Sequence, residues 1–68
     1  MIVLYSQPTC GQCKMVHRLL DQKKIPYTEC QDVDKMISLG INHTPTLEVE
    51  GKFIVGREIF NFINNYRG

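Results

Sequence analysis

The four residues Cys10-Gly11-Gln12-Cys13 stand where an apolar run gives way to a helical pattern, and that junction constrains the fold more than any other feature. Before it, Ile2-Val3-Leu4-Tyr5 is a short, nearly continuous run of β-formers, which reads as a strand buried on both faces. Ser6, Gln7, Pro8 and Thr9 make a polar loop broken by proline. After it, Cys13, Val16, Leu19 and Leu20 recur at three- and four-residue spacing, one apolar helix face. Lys14, His17, Arg18, Asp21 and Gln22 fall mostly on the other side. The helix is expected to begin near Cys10, to carry Lys23 and Lys24 at its negative pole, and to be stopped by Pro26.

The rest of the chain continues the alternation. Tyr27 to Gln31 is expected to form a second strand, and Asp32 or Asp34 to cap a short helix carrying Met36, Ile37 and Leu39, ended by Gly40. Thr46 to Glu50 alternates as a half-exposed strand, Gly51 provides a turn, and Lys52 to Val55 makes the second arm of a hairpin. Gly56 precedes a last helix. Its buried face is expected from Ile59, Phe60, Phe62, Ile63 and Tyr66, with Arg57, Asn61, Asn64 and Asn65 in water. A strand-helix-strand opening favours parallel pairing through a right-handed crossover, and the closing hairpin is antiparallel. The expected class is therefore α/β, in the order β-α-β-α-β-β-α, with helices packed on a mixed sheet. A chain of 68 residues, 43% hydrophobic, is one small domain with enough apolar content for a compact core.

Charge narrows the partners. Eight basic and seven acidic residues are spread along the chain for a net charge of +1, with no basic stripe, so nucleic acid is not expected. The opening apolar run is too short for a signal peptide or a membrane span. The expected location is the cytoplasm, where thiols are kept reduced. A monomer is expected. The cysteine count is three, an odd number unsuited to a disulfide-stapled secreted scaffold.

A Cys-x-x-Cys pair opening a helix has a physical logic. Residues three apart lie on neighbouring positions of one turn, so their sulfurs can meet. Unpaired N–H groups and the dipole at a helix N-terminus favour an anion, which lowers the thiol pKa of the first cysteine. Cys10, at the loop edge, is assigned as the attacking nucleophile, and Cys13, further in, as the thiol that resolves the mixed disulfide. The competing reading is half of a zinc or iron–sulfur site. Zinc normally takes four ligands, and the remaining candidates His17, Cys30 and His43 form no second tight pair, so two chains would have to share the metal. Cys30 is read as a buried hydrophobe. His17 is read as a solvated surface residue, with a proton-shuttle role as the minority reading.

With Cys10-Gly11-Gln12-Cys13 and Thr44-Pro45-Thr46 together in this order, the sequence resembles the thioredoxin/glutaredoxin superfamily, and its small glutaredoxin-like redoxins in particular. The resemblance runs along nearly the whole chain and implies one thioredoxin-like domain over 1–68, of minimal glutaredoxin size. It also implies a cis Thr44–Pro45 bond beside the cysteines, and dithiol reduction of protein disulfides without a bound cofactor. A substrate-contacting set of Thr9, Gln12, Thr44, Pro45, Gly56 and Arg57 follows from the same match. Thr44 would offer its backbone to an extended segment, and Gly56 and Arg57 at a helix N-terminus could receive a carboxylate. Two departures concern the electron donor. Gln7 stands where glutaredoxins usually carry lysine, and Val55-Gly56-Arg57-Glu58-Ile59 replaces a Gly-Gly then Cys-Asp-Asp pattern. Those family positions hold glutathione's carboxylates. The expected donor is thus a thioredoxin-reductase-like flavoenzyme, with glutathione as the alternative. Leu4 stands where thioredoxins carry a buried acid.

Overall fold

The computed structural model describes residues 1–66 and contains, in order, β1 (Ile2–Tyr5), α1 (Gly11–Gln22), β2 (Thr28–Cys30), α2 (Val33–Ser38), β3 (Thr46–Val49), β4 (Lys52–Val55) and α3 (Arg57–Asn65). The sheet order is β2-β1-β3-β4. β1 runs parallel to β2, with Tyr5 opposite Cys30, and antiparallel to β3, with Tyr5 opposite Thr46. β3 and β4 form the hairpin, with Thr46 opposite Val55. The element order is the one read from the sequence.

Strand periodicity sorts the side chains into two faces. Ile2 and Leu4 of β1 and Leu47 of β3 join Val16 and Leu20 of α1, Ile25, and Ile59 and Ile63 of α3 in one buried cluster. Leu4, Val16, Leu20, Leu47, Ile59 and Ile63 are fully enclosed. Leu19, Ile54, Phe60, Phe62 and Tyr66 pack at its margin. Tyr5, on the opposite face, is also buried; its hydroxyl donates to Glu48 Oε1 at 2.8 Å and its ring meets Phe53. Burial, followed by the bond to Glu48, pushes the Tyr5 pKa up to about 12.

Element boundaries differ from expectation at several places; Tyr66, expected on the last helix, is the extended C-cap after Asn65. α1 stops at Gln22, four residues before Pro26, with Lys23 as its C-cap and Lys24 just beyond. Termination comes from a Schellman turn: Lys24 N–H donates to Asp21 O and Ile25 N–H to Leu20 O, with Lys24 at φ 56°. Leu20 and Ile25 are both in the core, the apolar contact that accompanies this motif. β2 is shorter than Tyr27–Gln31, because it is an edge strand whose partners are only Val3, Leu4 and Tyr5. Glu50 is not a strand residue. Val49 faces Lys52, so Glu50 and Gly51 form a two-residue loop with φ of 50° and 82°, the geometry of a type I′ turn.

α2 follows the sequence reading closely. Asp32 is the cap, its Oδ1 accepting from Lys35 N–H at 3.2 Å. Gly40 at φ 80° ends the helix, with Gly40 N–H bonded to Ile37 O and Ile41 N–H to Met36 O. Met36 is buried, whereas Ile37 and Leu39 are exposed.

Candidate functional site

Tyr5 ends the central strand β1, and the next five residues carry the chain to the start of α1. Two bonds fix this loop: Ser6 N–H donates to Cys30 O at 3.0 Å, and Cys10 N–H to Gln7 O at 3.1 Å. Cys10 is thereby held in extended conformation (φ −88°, ψ 110°) as the N-cap of α1. Its sulfur accepts the Cys13 N–H at 3.1 Å, the place a serine or aspartate oxygen takes in an ordinary cap. The first turn of α1 holds no acidic residue, so nothing local offsets the positive pole beneath that sulfur.

Cys10 and Cys13 are joined by a disulfide, their Cα atoms 5.2 Å apart. Cys10 is partly exposed; Cys13, one turn inward, is 3% exposed. Cys30 is free and half-buried, more open than the buried hydrophobe expected of it. Among the described residues no cluster of three histidine, cysteine or carboxylate groups is placed to hold a metal ion. No described helix is long and apolar enough to cross a membrane.

The other sequence-derived site residues gather at the same end of the sheet, though not all in one groove. The Thr44–Pro45 peptide is cis, Pro45 is buried, and the following Thr46 hydroxyl donates to His43 O at 2.7 Å. Thr44 shares a groove with Gln7, Val33, Ile37, Ile41 and His43. Gln7 in turn also lines a larger groove of about 710 Å³ that reaches Cys13. Thr9 and Gln12 are exposed on either side of Cys10. Gly56, at φ 61° where a side chain is disfavoured, caps α3 without a side-chain bond. The register of Val55 with Thr46 sets Gly56 beside Pro45, but neither Gly56 nor Arg57 lines the grooves at Gln7 and Cys13.

The larger groove holds His17, read from the sequence as a solvated surface residue, beside partners the sequence reading did not connect with it. His17 is not simply solvated: its Nδ1 lies 3.2 Å from Asp21 Oδ2, and its ring stands edge-on to Tyr27 at 5.6 Å. Tyr27 donates its hydroxyl to Asp21 Oδ1 at 3.3 Å. Burial, then the Asp21 charge, pushes the Tyr27 pKa up to about 12. Across the groove, the buried Ser6 hydroxyl donates to Glu29 Oε2 at 2.8 Å and accepts from Gln31 Nε2 at 3.4 Å. The i, i+4 spacing of His17 and Asp21 was the available signal.

Comparison with known proteins agrees with this geometry. The chain superposes on the crystal structure of the thioredoxin-like protein BC3987 with a TM-score of 0.76 at 24% identity, covering 94% of this chain and 97% of that one. A threonine-to-alanine variant of the same protein gives a TM-score of 0.74 at 26% identity, covering 94% and 96%. No curated protein gives a significant match. The fold is thioredoxin-like. The glutaredoxin family model matches residues 2–54, and with the Cys10–Cys13 disulfide this supports a thiol–disulfide redox role. By that match, which spans most of its length, the chain belongs to the glutaredoxin family.

Proposed function

We propose that the protein is a dithiol reductase of protein disulfides, with Cys10 as nucleophile and Cys13 as resolving thiol. The observation that carries this reading is the Cys13 N–H···Sγ bond to a partly exposed Cys10 at the cap of α1, with Cys13 buried behind it. Groups that hydrogen-bond a thiolate, together with the helix dipole, favour its charged form. Cys10 thiolate attacks a substrate disulfide, forming a Cys10–substrate bond and releasing one substrate thiolate. Cys13 thiolate then attacks Cys10 Sγ, forming the Cys10–Cys13 disulfide and releasing the second. Two electrons pass from the protein to the substrate, and each released thiolate takes up a proton.

Thr9, Gln12, Thr44 and Pro45 are proposed to contact the substrate around Cys10, with Thr44 offering backbone to an extended segment. Gly56 and Arg57 are proposed as a carboxylate contact at the rim. Gln7 and Glu58-Ile59 stand where the family holds glutathione's carboxylates, so a thioredoxin-reductase-like flavoenzyme is the proposed donor. The proposed setting is a reducing compartment such as the cytoplasm, with the chain acting as a monomeric unit and no bound cofactor. Reduction of insulin disulfides, followed by turbidity, tests the assignment. Cys10→Ser is expected to abolish it, and full activity in that variant overturns the role of Cys10.

A further inference from the structure

We propose that His17, oriented by Asp21, is the base that takes the proton from Cys13 when Cys13 resolves the mixed disulfide. The inference rests on the dithiol reading above, and concerns a step for which that reading names no proton acceptor. Cys13 is almost fully buried, and a buried thiol in apolar surroundings resists ionisation. Of the buried polar side chains among the described residues, Ser6 gives its hydroxyl to Glu29 and Thr46 gives its hydroxyl to His43 O, and Leu4 is apolar and enclosed. A proton acceptor placed beside Cys13 would assist its ionisation.

The groove beside Cys13 supplies one. Cys13, His17 and Asp21 line the same side of it, at positions i, i+4 and i+8 of α1. In a helix each side chain leans toward the N-terminus, so His17 lies over the turn that carries Cys13, and Asp21 over the turn that carries His17. Nδ1 lies 3.2 Å from Asp21 Oδ2, which favours Nδ1 as the protonated nitrogen of neutral imidazole and Nε2 as the acceptor. Tyr27 holds the ring edge-on and is itself tied to Asp21, so the imidazole has a defined orientation from two sides. Lys14 and Arg18 of α1 also line the groove, as do Glu29 and Gln31 from β2 and the residue after it. Glu29 is the competing base, but its carboxylate is engaged by the Ser6 hydroxyl.

The step balances simply. Cys13 S–H gives its proton to His17 Nε2, directly or through one water in the groove. Cys13 S⁻ attacks Cys10 Sγ, the Cys10–Cys13 bond forms, the Cys10–substrate bond breaks, and the departing substrate thiolate is protonated from His17 or solvent.

Stopped-flow reaction of the reduced protein with an aromatic disulfide that releases a coloured thiolate separates the two attacks. The first, bimolecular phase reports Cys10, and the second, concentration-independent phase reports Cys13. His17→Gln is expected to leave the first phase unchanged and to slow the second by about tenfold or more at pH 7. In His17→Gln the second phase should recover its rate only at alkaline pH, where hydroxide replaces the imidazole as proton acceptor. Asp21→Asn, which keeps the ring but loosens it, should slow the second phase less. An unchanged second phase and pH profile in His17→Gln overturns the proposal. Equal slowing of both phases does so too, as does selective slowing by Glu29→Gln in place of His17→Gln. Absence of any first phase in the wild type overturns the dithiol reading itself.

Discussion

Lys24 and Gly40 occupy the same position in two copies of one turn. Each follows the capping residue of its helix with positive φ, 56° and 80°, and each is flanked by the paired backbone bonds of a Schellman motif. Glycine takes this conformation freely, whereas a side chain collides with its own carbonyl at a cost of about 1 kcal/mol or more. At α1 the lysine is tolerated because Ile25, the next residue, is locked into the core against Leu20.

Lys24→Gly is therefore expected to stabilise the protein by about 0.5–1 kcal/mol, the relief of strain being partly offset by the freer unfolded chain. The reverse change, Gly40→Lys, should destabilise it by about 1 kcal/mol. Urea unfolding checks both, as shifts of midpoint with little change in slope.

Asp32→Ala removes the oxygen that receives Lys35 N–H at the start of α2. The expected cost is about 1 kcal/mol. Because α2 is only six residues long, amide exchange at Lys35 and Met36 should accelerate more than exchange in β1.

Tyr5 links stability to alkaline pH. Its folded pKa is raised from 10.0 to about 12, so its contribution is complete below pH 10 and is lost as pH rises toward 12. Thermal unfolding between those pH values should fall more steeply for the wild type than for Tyr5→Phe. Near neutral pH the same variant should be less stable by about 1 kcal/mol, for loss of the bond to Glu48. Parallel curves for the two proteins above pH 10 would remove Tyr5 as the source.

Cys13→Ser separates attack from resolution. The first attack needs only Cys10, so this variant should accumulate a covalent adduct with a disulfide peptide, visible by mass spectrometry and reversed by reductant. The wild type should pass through that adduct to the internal disulfide.

Much of this architecture was legible in the residues themselves. The strand at Ile2–Tyr5, the hairpin, the Asp32 cap and the Gly40 stop each follow from local chemistry: apolar β-formers, alternation, a short acceptor side chain, and a residue without a Cβ. What escaped was set by tertiary context. Lys24 carries no signature of a left-handed turn, and only the docking of Ile25 explains it. Glu50 fits the alternation of β3 and leaves it only because the pairing of Val49 with Lys52 places it in the loop. His17 looked solvated among polar neighbours because Tyr27, which orients it, arrives from beyond the end of α1. The cysteine spacing itself was plain, and its position at a helix cap followed from the loop-to-helix pattern.

The central claim is that the cap of α1 makes Cys10, and not Cys13, the thiolate. Its most direct measurement is the rate of alkylation of each cysteine in the reduced protein as a function of pH, resolved by mass spectrometry. Cys10 should react fastest, with a midpoint well below the free-thiol value of about 8.5. A Cys10 that titrates at or above that value, or a Cys13 that outpaces it near neutral pH, contradicts the account.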